Sequence, residues 1–288
     1  MKSNLFIVGT PKAGTTALYE YLRNSKDVFL PSIKETNYFA HSEISKQRLY
    51  YNAPIVDSRP VYDELYASAT HQKWLVDASV SYLYYEPAAT RIFEYNPEAR
   101  IIIILRNPAE RAYSHYLMDK RLGFIKSDFA VILNRKQRDH QTDVAYQQFV
   151  SLGFYHDQVK RYMDIFPHNQ IRIFFHHEVK SNRKAWLNEV CQFLDIEPLS
   201  EEATSEAHNA HANPKNGFIQ FLYQMKWLRK AIKAVIPAGL QKGVLKGFFD
   251  NSKPALDPEI DAQLRSLYKN DIQKLEALFN KNLMAWYE

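Results

Sequence analysis

The sequence predicts an α/β fold, a three-layer sandwich in which a central parallel β-sheet is flanked by helices on both faces. Three observations predict it. Apolar runs of strand length recur along the chain, at 5–8, 74–76, 101–105 and 171–175, and helical patterns separate most of them. The run Ile101-Ile102-Ile103-Ile104-Leu105 shows no polar alternation, the mark of a central strand covered on both sides. A glycine-containing segment follows the first strand and opens a helix, as at the ligand-binding end of such sheets.

Taken in order, the strand at 5–8 leads into a helix over 15–24, and a short second strand is placed at 28–30. Helices follow over 87–95, 108–122, 154–165, 183–194, 218–235 and 258–278. Pro108 and Pro258 stand where a first helical turn tolerates a missing amide hydrogen. The stretches 39–72 and 125–145 lack a clear period and are rich in polar residues, so they read as insertions or lids, as does 205–250. At 288 residues with 46% hydrophobic content, one domain spanning 1–288 with these accessory segments is expected.

The formal charge of +5 is modest for this length; it does not argue for nucleic acid and suits a small, highly anionic ligand. The single cysteine, Cys191, has no partner for an internal disulfide and sits in a helical pattern beside Val190 and Phe193, which makes it a core thiol. No run approaches the roughly 20 apolar residues that span a bilayer, and the chain enters its first apolar run almost at once, so a cytoplasmic protein without a signal peptide is expected.

The segment Gly9-Thr10-Pro11-Lys12-Ala13-Gly14-Thr15-Thr16 is a phosphate-binding context. Glycines let backbone amides approach an anion, the helix N-terminus adds partial positive charge, Lys12 supplies a full charge, and Thr15 and Thr16 supply hydroxyls. In an ordinary P-loop the lysine directly follows the last glycine; here that place is Thr15, and Lys12 lies before Gly14. The fold is thus P-loop-like, and the displaced lysine disfavours metal-dependent triphosphate hydrolysis. His208 and His211 are too sparse a pair for a metal site, and no metal is expected.

With this loop, the sequence resembles the sulfotransferases that use 3′-phosphoadenosine 5′-phosphosulfate (PAPS), closest in motif to the carbohydrate, heparan-type, and bacterial members. A second block, Arg106-Asn107-Pro108-Ala109-Glu110-Arg111-Ala112-Tyr113-Ser114, is similar to that family's 3′-phosphate site, which assigns Arg106 and Ser114 to that phosphate. Lys34-Glu35-Thr36-Asn37-Tyr38-Phe39 resembles the block whose glutamate is the general base, which implies that role for Glu35. Asp77-Ala78-Ser79-Val80-Ser81-Tyr82 resembles a Glu-x-Ser-Pro-x-Tyr stretch with Asp in place of Glu and Val in place of Pro. For the family's loop that covers the 3′-phosphate and adenine, Asn213-Pro214-Lys215-Asn216-Gly217 is the nearest candidate, without a clean motif match, which implies a nucleotide contact for Lys215. The run from Pro254 to Trp286 has the look of the family's closing helix and reads as packing.

The resemblance implies sulfuryl transfer from PAPS to a hydroxyl or amine of a saccharide or small natural product, releasing adenosine 3′,5′-bisphosphate, with Pro11, Lys12, Ala13, Gly14, Thr15, Thr16, Arg106, Ser114 and Lys215 binding the donor. Histidine is the alternative base, with His41, His115, His208 and His211 as candidates. Two other readings stand beside it: a small-molecule kinase with an atypical phosphate loop, and a non-catalytic nucleotide-binding module. Residues 217–249 carry Lys226, Arg229, Lys230, Lys233, Lys242 and Lys246 with no acidic residue, and 218–235 forms an amphipathic basic pattern. It borders the site entrance, touches an anionic membrane surface, or docks with its lysines solvated.

Overall fold

A computed structural model describes residues 1–50, 55–199, 213–214, 249–250 and 254–288. Five strands build the central sheet: β1 (Leu5–Gly9), β2 (Val28–Phe29), β3 (Trp74–Asp77), β4 (Arg100–Leu105) and β5 (Ile171–Phe175). All pairings are parallel, in the order β2-β3-β1-β4-β5. A separate pair joins Asn213–Pro214 antiparallel to Phe249–Asp250.

The apolar strands divide their side chains between two cores, because successive residues of a strand point to opposite faces. Phe6, Val8, Ile101, Ile103 and Leu105 enter one core. Leu5, Ile7, Ile102 and Ile104 enter the other. The second core is covered by α1 (Thr15–Leu22) and α10 (Arg183–Leu194), which contributes Trp186, Leu187, Val190 and Leu194. Cys191 is buried on that helix, as a core thiol should be. The first core is larger. It takes in α4 (Pro87–Tyr95), α5 (Pro108–Arg121), α7 (His140–Phe149), α8 (His156–Ile165) and the closing helix α11 (Pro258–Phe279).

The closing helix packs as expected: Leu264, Tyr268 and Leu275 on it and Trp286 beyond it are buried. It also sets where α8 begins. Asp271 accepts the backbone N–H groups of Tyr155 and His156 at 2.7 and 3.2 Å, so a remote carboxylate satisfies the first amides and α8 starts at His156 rather than at 154.

The two aperiodic stretches contain ordered helices. Within 39–72 lie α2 (His41–Gln47) and α3 (Arg59–Glu64), and Phe39, Ile44, Val56, Tyr62 and Tyr66 are all buried there. Within 125–145 lie α6 (Phe129–Leu133) and the start of α7, with Phe129, Ile132 and Leu133 buried. Helices of 7, 6 and 5 residues span at most two turns, too short for a 3.6-residue period to be visible in sequence. The remaining short helix, α9 (His176–Ser181), leaves β5 directly. The helix expected over 218–235 lies outside the described residues, as does most of the stretch 205–250. Among the described residues no helix is long and apolar enough to cross a membrane.

One close approach fixes how β1 ends. A Cβ on Gly9 would lie 2.8 Å from Leu83 Cβ, while Leu83 N–H donates to Val8 O at 2.9 Å. The root of a side chain cannot swing away as its tip can. Gly9→Ala is expected to destabilise the protein by about 1–3 kcal/mol through overpacking, read as a lowered urea midpoint with an unchanged slope.

Candidate active site

The C-terminal ends of β1, β4 and β5 open onto one cavity of about 880 Å³, where ligands gather in open parallel sheets. After β1 the chain turns sharply. Thr10 N–H donates to Ile104 O at 2.8 Å and Ala13 N–H to Thr10 O at 3.2 Å. Lys12 has φ 67° and Gly14 has φ 100°, both left-handed, before α1 starts at Thr15. Glycine suits the second of these positions because it has no Cβ to clash. No side chain caps α1, and the first amides of a helix have no intrahelical acceptor, so its N-terminus faces the cavity with donors and partial positive charge. Pro11, Lys12, Gly14, Thr15 and Thr16 line the cavity. Ala13 is fully buried and supports the turn from behind.

Lys12 Nζ lies 3.4 Å from Met118 Sδ on α5, a weak acceptor. Burial, then Arg121 and Arg106, lower its pKa to about 8, with Asp119 opposing. An anion between these cations would restore its charge.

Arg106 directly follows β4, and Asn107 starts α5 at once by accepting the N–H groups of Ala109 and Glu110 at 3.0 and 3.3 Å. The Arg106 guanidinium gives Nη1 to Lys12 O at 3.0 Å, and Nε and Nη2 to Glu110 Oε2 at 3.2 and 3.0 Å. Tyr155 OH holds the Arg106 carbonyl at 2.9 Å. Ser114, two turns into α5, lines the same cavity; its Oγ is buried and has no hydrogen-bond partner among the described residues. The two residues expected at a 3′-phosphate thus share one cavity with Lys12.

Glu35 lines the cavity from the loop after β2. Its Oε1 pairs with Lys34 Nζ at 3.0 Å, and its side chain is 39% exposed. The residues that follow are pinned to the end of β3. Asp77, fully buried, accepts from Thr36, Tyr62, Tyr82 and Ser79 hydroxyls at 2.8, 2.9, 2.8 and 2.6 Å. Ser79 Oγ in turn accepts Asn37 N–H at 3.1 Å, and Ser81 donates to Asn37 Oδ1 at 2.6 Å. Burial pushes the Asp77 carboxyl up and the hydroxyls pull it back. Asp77 is therefore an anchor of the loop that carries Glu35, a role its departure from the Glu-x-Ser pattern left open.

Of the candidate histidines, His41 stands outside the cavity lining and its Nδ1 donates to Tyr38 O at 2.8 Å. His115 lines the cavity, with Nδ1 donating to Gln148 O at 3.2 Å. Burial, then Arg111 and Lys12, hold it well below the usual imidazole range, so it is neutral. His176, the first residue of α9, is likewise held at about 4 by burial, Arg106 and Lys180. Lys215, His208, His211 and residues 217–248 lie outside the described residues.

Sequence reasoning missed Asp119, Arg121, His176 and Lys180, which line the cavity, and Tyr50, which reaches it through Asp119. The signal was present on α5: Ser114, Met118 and Arg121 recur at helical spacing, and His115 and Asp119 stand one position on.

Comparison with known proteins agrees with this geometry. A family model described as the sulfotransferase domain matches residues 2–279. Carbohydrate sulfotransferase 15 of Mus musculus is 26% identical over 252 residues, covering 69% of this chain and 45% of the relative. The bifunctional heparan sulfate N-deacetylase/N-sulfotransferase 3 of Homo sapiens is 26% identical over 214 residues, covering 70% of this chain and 24% of the relative. The chain thus spans less than half the length of these relatives. Among solved structures, a sulfotransferase from Alicyclobacillus acidocaldarius superposes with a TM-score of 0.71 at 24% identity, covering 100% of both chains. The sulfotransferase domain of the Synechococcus PCC 7002 olefin synthase does so with a TM-score of 0.53 at 15% identity, covering 98% of this chain and 97% of that one. The fold is the one these proteins share, and with the family model matching nearly its whole length, the chain belongs to the sulfotransferase domain family.

Proposed function

We propose that this protein transfers a sulfuryl group from PAPS to a hydroxyl or amine of a saccharide or small natural product, releasing adenosine 3′,5′-bisphosphate. The observation that carries the reading is the convergence, in one cavity, of Lys12, the α1 N-terminus, Arg106 and the unpartnered Ser114 Oγ. A buried hydroxyl without a partner costs about 1–3 kcal/mol, and a phosphate oxygen would satisfy it. The arrangement suits a ligand with two separated anionic groups, one at the loop and one between Arg106 and Ser114. The names of the relatives, carbohydrate sulfotransferase and N-sulfotransferase, support a saccharide hydroxyl or amine as acceptor.

The transfer is a displacement at sulfur. The acceptor oxygen or nitrogen forms the new bond while the bond from sulfur to the 5′-phosphate oxygen breaks, and the electron pair stays on that oxygen. Lys12 and the α1 amides stabilise the charge that develops there. Glu35, on a loop held by the Asp77 cluster, takes the proton of the acceptor.

Four outcomes are expected. Adenosine 3′,5′-bisphosphate at ~100 times its dissociation constant is expected to stabilise the protein by about 2.7 kcal/mol in thermal unfolding, where AMP or ATP with Mg²⁺ gives a smaller shift. Ser114→Ala should leave the unliganded protein more stable than before, by up to about 1–3 kcal/mol, while reducing that shift; a response to ATP with Mg²⁺ alone would overturn the reading. Because Lys12 is charged below about 8, affinity for the bisphosphate should weaken as pH rises through 8, by up to about tenfold per pH unit, and Lys12→Met should flatten this profile in calorimetric titrations. Glu35→Gln should lower the rate of transfer of ³⁵S from labelled PAPS by about 10²-fold or more, with bisphosphate affinity unchanged; full activity would remove Glu35 as the base.

A further inference from the structure

We propose that Asp119 is the acceptor-recognition residue of this cavity, its open carboxylate oxygen accepting a hydrogen bond from a hydroxyl that neighbours the reacting group of a neutral polyol such as a sugar ring. The proposal deepens the sulfotransferase reading and rests on it.

Among the described residues two aspartates are buried at the same level, and their surroundings differ. Asp77 is saturated by four hydroxyls and lies behind the Glu35 loop. Asp119 is 1% exposed, lines the cavity wall, and accepts one hydrogen bond, from Tyr50 OH to Oδ2 at 2.5 Å. Its Oδ1 accepts nothing among the described residues. Buried carboxylates are ordinarily paired or multiply hydrogen-bonded, because an unsatisfied charge in a low-dielectric wall is costly. A half-satisfied one facing a cavity calls for a donor from the ligand.

The charged neighbours do not fill the vacancy. His115 Nε2 is 3.9 Å from Asp119 Oδ2, but this imidazole is neutral and spends its one hydrogen on Gln148 O, so it presents a lone pair. Lys12 attracts the carboxylate electrostatically without a hydrogen bond to it; its ammonium is directed to Met118, the residue before Asp119. That neighbour relation puts Asp119 beside the group that serves the leaving phosphate, at the reacting end of the donor. Tyr84, Tyr85, Leu49 and Phe124 line the same cavity and supply flat apolar surface for the face of a ring. Burial first, opposed by Tyr50 and Lys12, brings the Asp119 carboxyl to about 7. The ionised form is the better acceptor, so polyol binding should strengthen as pH rises through 7.

The test uses the protein saturated with adenosine 3′,5′-bisphosphate, with N-acetylglucosamine as the neutral polyol probe and cyclohexanol as a ring with one hydroxyl. Binding is followed by saturation-transfer NMR between pH 6 and 8. N-acetylglucosamine is expected to bind the wild type more tightly at pH 8 than at pH 6. Asp119→Asn should weaken it by tenfold or more and remove the pH dependence, leaving cyclohexanol within twofold of wild type. Tyr50→Phe keeps the carboxylate but loses the hydrogen bond that favours its ionised form, so the pH midpoint should move upward, an effect that loss of packing alone would not produce. Equal N-acetylglucosamine affinity in wild type and Asp119→Asn overturns the proposal, as does an absence of binding to the wild type. Failure of the bisphosphate to bind the wild type would instead sink the sulfuryl-transfer reading beneath it.

Discussion

The burial of β1 and β4 on both faces governs the rest of the molecule. Every side chain from Leu5 to Val8 and from Ile101 to Leu105 is fully buried. Over these stretches neither strand carries a polar side chain, so polar chemistry is confined to the positions where the strands begin and end. Thr10 N–H still pairs with Ile104 O, which extends the ladder to the edge and fixes the start of the turn. Lys12 and Arg106 follow within two residues of that pairing. The cavity lies at this end of the sheet because it is the first place where the backbone escapes an apolar environment with donors still unpaired.

The loop bearing Glu35 needs a different support, since β2 is only two residues long. Asp77 supplies it. A carboxylate that receives hydroxyls from Thr36, Tyr62, Tyr82 and Ser79 ties together the loop after β2, α3, and the turn after β3. Such a network is stable only when all its members are satisfied. Ser79, Thr36 and Tyr62 each use their remaining capacity on Asn37 N–H, Tyr38 N–H and Ser3 Oγ. The segment around α3, which looks like an insertion in the sequence, is thereby part of the support of the site.

The sheet was legible because its signal is long and local. The uninterrupted Ile101 to Leu105 run and the glycine turn after β1 identify β4 and β1 without reference to anything distant. Lys12, Arg106 and Ser114 were legible because their spacing from those strands determines their position. Asp119 and Tyr50 were not, because their partnership spans 69 positions and depends on how the short helices near α2 pack on α5. Asp77 was visible as a residue but not as an anchor, since its hydroxyl partners come from separate segments. Burial of this kind is set by tertiary contact and leaves no period in the sequence.

The displaced lysine ties the loop after β1 and the junction of β4 and α5 into one unit. Because Lys12 precedes Gly14 and is itself left-handed, its carbonyl turns toward β4 and takes Arg106 Nη1 at 3.0 Å. Its ammonium then crosses to Met118 on α5 rather than folding over the helix that follows the loop. Arg106 also pairs with Glu110, so part of its guanidinium is engaged before any ligand arrives. A bisphosphate bridging the two blocks would exchange contacts rather than meet bare charges. That exchange lowers the desolvation cost of binding and keeps a cation-rich cavity stable when empty. Glu35 and Asp119 bring negative charge to the same space. The cavity therefore interleaves the two signs, Arg106 with Glu110 and Lys12 with Asp119, so its cations are partly neutralised by carboxylates while it is empty.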